Sequence, residues 1–140
     1  MGIGWSVAVA TVFVWLGMVL AISFLEAPLK FRAPGVTPAL GLGIGRLVFR
    51  ALNVCEAALA LAALVGVWWG AQPDATAAVM VAAVSLAVQI AVVRPVLTRR
   101  SNEVLAGRDA PRSRAHLGYV VLEVVKVIAL LSAGTLLLVH

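Results

Sequence analysis

Residues 115–139 read AHLGYVVLEVVKVIALLSAGTLLLV. A helix rises about 1.5 Å per residue, so this run is long enough to cross a hydrocarbon layer of about 30 Å. Glu123 and Lys126 sit in its interior. On a soluble helix such charges would mark a wet face. Here Val, Leu, Ile and Ala surround them, and no Asp, Glu, Lys or Arg follows to the end of the run. The run therefore reads as a membrane helix whose charges must pair inside a bundle.

The rest of the chain agrees. Apolar residues make up 63%, charged residues 12%, and the mean hydropathy is +1.07. Soluble domains hold about 45–50% apolar and about 25% charged residues. A chain of 140 residues this apolar cannot hide its surface in one small core. Four helices are predicted, over about 4–27, 39–69, 75–94 and 114–139. The expectation is an all-α bundle of four transmembrane helices, a polytopic membrane protein with one domain over 1–140. The apolar runs are continuous, whereas the strands of a membrane barrel alternate. No basic residue precedes the first run, which is too long for a signal sequence, so it reads as a retained helix.

Charge sets the topology. The chain has eleven basic residues. Lys30, Arg32, Arg46 and Arg50 flank the first connection. Arg94, Arg99, Arg100, Arg108, Arg112 and Arg114 flank the third, and Lys126 lies a few turns into the fourth helix from that side. The middle connection, GAQPDA, holds Asp74 and no basic residue. The positive-inside rule then places both termini outside and the basic connections in the cytoplasm of a bacterial inner membrane. Anionic membrane lipids are the expected partners of that basic side. Nucleic acid is not, because the basic residues carry no aromatic platform or motif. The third connection, bracketed by Pro95 and Pro111, reads as a solvated loop, with a short surface helix as the alternative. Ser113 would cap the fourth helix.

Two helices carry a polar stripe. In the second it is Arg46, Arg50, Asn53 and Glu56, within an arc of roughly 120°. In the fourth it is His116, Tyr119, Glu123 and Lys126, within roughly 80°. Both stripes start at the basic end and stop near mid-membrane, at matching depths of roughly 10–15 Å. Glu56 is expected to pair with Lys126. Glu26, with Lys30 after it at the end of the first helix, is expected to meet Arg46 or Arg50. Lys30, Arg46, Arg50, Arg94 and Lys126 then face Glu26, Glu56 and Glu123, a positive excess of about two. Arg94, beside Pro95 at a helix end, is also read as a side chain that snorkels to the interface.

Several chemistries are disfavoured, and no cofactor is expected. His116 and His140 would lie about 36 Å apart on one helix, too far to share a haem. One cysteine and no His/Cys cluster leave no zinc site and no internal disulfide. Cys55 faces away from the stripe on its helix and reads as a small apolar filler. The glycines of GLGIG (41–45) open a membrane helix and suit close helix approach better than phosphate binding. Ala58, Ala62 and Gly66, and Ala83, Ala87 and Ala91, form small-residue ridges for packing within the bundle or between copies. Trp5, Trp68 and Trp69 suit an interfacial belt.

The succession SFLEAPLKF (23–31), GRLVF (45–49) with NVCE (53–56), RPVLTRR (94–100) and HLGYVVLEVVK (116–126) resembles a group of uncharacterised four-helix bacterial membrane proteins. More distantly, PLKF and the Arg–Pro end of the third helix are similar to the four-helix family of unknown function that includes the human cisplatin-resistance transmembrane protein. The resemblance implies the four-helix architecture and singles out the same polar residues, but it supplies no substrate. The distant likeness hints at metal or drug handling, and the lack of Met or Cys ligands speaks against copper.

The functional expectation is a cytoplasmic-half polar site formed by Glu26, Lys30, Arg46, Arg50, Asn53, Glu56, His116, Tyr119, Glu123 and Lys126. It would bind an anionic lipid, a quinone or a small anion, or belong to an accessory subunit of a membrane complex. An oligomeric small transporter is the alternative. A membrane enzyme using His116 and Glu123 as an acid–base pair is a further one. A network that only locks helix register would use the same residues.

Overall fold

The computed structural model describes residues 2–70, 73–107 and 114–139. Four helices account for nearly all of them: α1 Ile3–Lys30, α2 Pro38–Gly70, α3 Pro73–Leu105 and α4 Arg114–Val139. Each is long and apolar enough to cross a membrane. No strand occurs among the described residues. The chain is an all-α four-helix bundle, as expected. The ends of α1 and α3 and the starts of α2 and α4 share one end of the bundle, which carries the basic residues. The expected cap Ser113 lies outside the described residues, as do Pro111, Arg108, Arg112 and His140.

α1 and α3 both run past a proline. Leu20–Glu26 and Gln89–Val93 are π-helical, and Pro28 and Pro95 each follow two residues later. Proline has no N–H for the carbonyl four residues back, and its ring crowds that carbonyl. Those carbonyls belong to Phe24 and Ala91, inside the two π segments. The wider turn absorbs the mismatch, so the helix continues. This corrects the expected loop after Pro95. α3 continues to Leu105 and ends at Gly107, whose φ of +82° is the left-handed conformation that closes helices.

The bundle is internally two-fold. The interval that separates Glu56 from Glu123 also separates Pro28 from Pro95. It carries Ala8, Val12, Trp15 and Val19 of α1 onto Ala75, Val79, Ala82 and Leu86 of α3, all of them buried. It carries Leu52, Ala63 and Gly66 of α2 onto Tyr119, Leu130 and Ala133 of α4, also buried. Packing follows the same scheme. α1 packs mainly on α2 and α3 mainly on α4, while the α1–α4 and α2–α3 contacts are smaller. Two helical hairpins thus stand side by side. With two helices each, both halves run the same way through the bundle. Lys126 breaks the match, for its counterpart is Leu59.

The tightest crossing is between α1 and α2 at the end away from the basic residues. A Cβ on Gly66 would lie 2.8 Å from the Gly4 carbonyl and 2.9 Å from the Ala8 nitrogen. Only glycine fits there. Three of the other ridge alanines face away from the bundle interior. Ala58, Ala87 and Ala91 are exposed on its outer surface. Trp68 and Trp69 are 79% and 77% exposed at the end away from the basic residues. That position suits an interfacial belt.

Candidate functional site

The centre of the bundle is polar. Lys126 is fully buried, with its Nζ 2.6 Å from Glu56 Oε1 and 2.5 Å from Glu123 Oε1. The same ammonium donates to Gln89 Oε1 at 2.8 Å. Three N–H groups meet three acceptors, so the ammonium is saturated. Glu56 Oε1 also accepts from Trp15 Nε1 at 2.9 Å. Glu123 accepts from Gln89 Nε2 at 3.1 Å and from the Ser23 hydroxyl. All four helices contribute: Trp15 and Ser23 from α1, Glu56 from α2, Gln89 from α3, and Glu123 and Lys126 from α4.

Two carboxylates against one ammonium leave a negative charge over, and Arg94 answers it through Asn53. With its amide oriented so that both contacts run donor to acceptor, Asn53 donates to Glu56 Oε2 at 3.3 Å and accepts from Arg94 Nη2 at 2.9 Å. Nη2 of Arg94 also reaches the Tyr119 hydroxyl at 3.3 Å. Its guanidinium lies 5.5 Å and 5.4 Å from the ring centroids of Phe49 and Tyr119. These two rings meet edge to face at 6.0 Å. The interior cluster is therefore balanced, as a low-dielectric site requires.

A vestibule of about 230 Å³ opens between this cluster and the basic end. Glu123 and Ser23 form its floor. Lys30, Arg46, Arg94 and Arg100 supply cations to its lining, and Phe24, Phe31, Phe49 and Tyr119 supply rings. Gly41 and Gly45 of α2 make room for it. The Phe31 ring sits over Gly41, and the Lys30 ammonium would lie 3.0 Å from a Cβ on Gly45. Lys30 also lies 5.6 Å and 5.8 Å from the Phe31 and Phe49 ring centroids. A second cavity, of about 350 Å³, is a groove on the flank between α2 and α3. Arg46 and Arg94 border both.

The expected residues sort by depth. Glu56, Tyr119, Glu123 and Lys126 are buried together, and the Glu56–Lys126 pair is present. Asn53 joins them through Glu56. Lys30 and Arg46 line the vestibule, His116 stands exposed at its rim, and Arg50 lines only the flank groove. Glu26 departs from expectation. It pairs with Lys30 one turn on, at 3.7 Å, while Arg46 donates to Asn102 Oδ1 at 2.8 Å. The π-helical turns that end at Glu26 shift its phase away from that of a regular helix. The expected excess of two positive charges is carried at the rim by Arg46 and Arg50.

Trp15, Ser23 and Gln89 were not anticipated, whereas Arg94 follows the interior reading of its position and not the snorkelling one. Gln89 was legible, being a lone amide within an apolar run. Trp15 was less so, since it sits far from both ends of its helix and outside any belt. Cys55 is exposed, away from the stripe. No group of three or more His, Cys, Asp or Glu side chains able to hold a metal ion occurs among the described residues. Comparison of the chain with family models, curated proteins and solved structures gave no match.

Proposed function

We propose that this is a multi-pass protein of a bacterial inner membrane whose vestibule binds an anionic group, such as a lipid headgroup, in the cytoplasmic half. The positive-inside rule supports that orientation, with both termini outside. One observation carries the binding reading: with Lys30 paired to Glu26 and Arg94 balancing the buried cluster, Arg46 still lines the vestibule, whose single acidic side chain, Glu123, is already engaged by Lys126. Arg46 has a neutral partner, Asn102, so its charge is available to an anion. Guanidinium groups hold phosphate and carboxylate by short charge-assisted hydrogen bonds. The aromatic wall suits an apolar stem behind that charge.

The two parts of the polar interior divide the work. The buried cluster fixes the register of the four helices, and the vestibule above it recognises the ligand. The test is native mass spectrometry of protein released from lipid discs. Discs holding phosphatidylglycerol should yield a retained lipid or anion mass that Arg46→Gln reduces. A bare chain from the wild type would sink the reading.

A further inference from the structure

The flank groove names the ligand class and its route. We propose that the vestibule is filled by a phospholipid of the leaflet at the basic end, which enters and leaves laterally between α2 and α3. This rests on the vestibule reading above.

Three observations carry it. First, the groove is graded along the bundle axis. Arg46, Arg50 and Arg94 lie at its basic end, and Val54, Ala57 and Ile90 line it one or more helical turns deeper. A phospholipid in that leaflet has the same gradient, with phosphate at the interface and chains toward the midplane. Second, groove and vestibule share Arg46 and Arg94, so a headgroup held between them touches both spaces while its chains stay in lipid. A free phosphate or sugar phosphate has no use for the apolar half. The Nε of Arg94 is buried without a hydrogen-bond partner, beside the path a headgroup would take.

Third, the groove is not a by-product of the two-fold frame. The matching positions between α4 and α1 replace Arg50, Asn53 and Arg94 by Leu117, Val120 and Ala27. Ile90 matches Ser23, a polar residue, but Ser23 is bonded to Glu123 inside the bundle. At these three positions one crossing is polar and the other apolar. Packing alone gives no reason for that difference.

Lipid exchange tests the route. Protein in discs of phosphatidylglycerol is mixed with discs of the deuterated lipid, and the bound species is followed by native mass spectrometry. Ala57→Trp and Val54→Trp put a ring in the groove at exposed positions, so the bundle core is untouched. Leu61→Trp, exposed on the same helix but outside the groove, is the control. Either groove variant should slow exchange of the retained lipid about tenfold relative to that control. Wild-type rates in both groove variants would overturn lateral entry while leaving the vestibule reading intact. Retention of glycerol 3-phosphate from buffer in place of lipid would do the same, because it would make the ligand a soluble anion. Retention of nothing by the wild type would defeat the vestibule reading and this inference together.

Discussion

Glu56 and Glu123, on different helices and related by the two-fold arrangement of the bundle, meet at one ammonium, that of Lys126, at 2.6 and 2.5 Å. Each half of the chain thus supplies one carboxylate, and one half supplies the cation that holds both. Removing the cation is not equivalent to removing either acid. Lys126→Met leaves two carboxylates buried without their counter-ion and should cost about 3–5 kcal/mol. Glu56→Gln keeps an oxygen for Trp15 and Lys126 and should cost about 1–3 kcal/mol. Unfolding titrations in mild detergent would show the order. Equal stabilities for Lys126→Met and the wild type would mean that the cluster does not hold the helices.

Trp15→Phe removes one bond of that cluster, the indole N–H to Glu56, and also shrinks a fully buried ring. Hydrogen bonds to charged groups contribute about 1.5–3 kcal/mol, so a loss of at least that order is expected in the same titration. The double variant with Glu56→Gln should lose less than the sum, because both changes act on one contact.

Gly66 and Gly43 lie on the same helix and should respond oppositely to alanine. At Gly66 the new methyl meets the backbone of Gly4 and Ala8, which cannot rotate aside. Overpacking of that kind costs about 1–3 kcal/mol. At Gly43 nothing lies within reach of a Cβ. Gly43→Ala should be neutral or stabilising by up to about 1 kcal/mol, since alanine has the better helix propensity. A Gly66→Ala variant as stable as Gly43→Ala, without loss, would show that α1 and α2 are not in contact at Gly66.

Topology is open to a labelling test. In a Cys55→Ala background, Pro34→Cys reports the turn between α1 and α2, and Asp74→Cys reports the opposite end. Both positions are exposed. An impermeant maleimide added to intact cells should label Asp74→Cys and spare Pro34→Cys until the membrane is opened. The reverse pattern would invert the proposed orientation.

The helix count and the polar stripes were readable because a membrane leaves few places for a charge. Glu56 and Lys126 lay at equal depth on single faces, so their meeting followed from geometry. Glu26 was misplaced because its neighbourhood is π-helical, and the regular helical angle fails there. Pro95 was read as a helix end because proline usually is one, yet the π turns before it let α3 continue. The two-fold relation was hidden for another reason. Its matched residues are mostly small and apolar, such as Ala8 with Ala75, and such residues abound throughout the chain. Their common burial, with the equal intervals between Pro28 and Pro95 and between Glu56 and Glu123, marks them as equivalent.

The central claim is that a phosphate group sits among the arginines of the vestibule. Solid-state NMR can measure this directly, through the dipolar coupling between lipid ³¹P and arginine side-chain ¹⁵N in phosphatidylglycerol discs. The account predicts a strong coupling that survives Arg32→Lys and Arg99→Lys, which alter exposed arginines outside both cavities, and that falls when Arg46 or Arg94 is changed to lysine. A coupling that vanishes with the surface arginines and ignores Arg46 and Arg94 would place the phosphate outside the bundle and contradict the account.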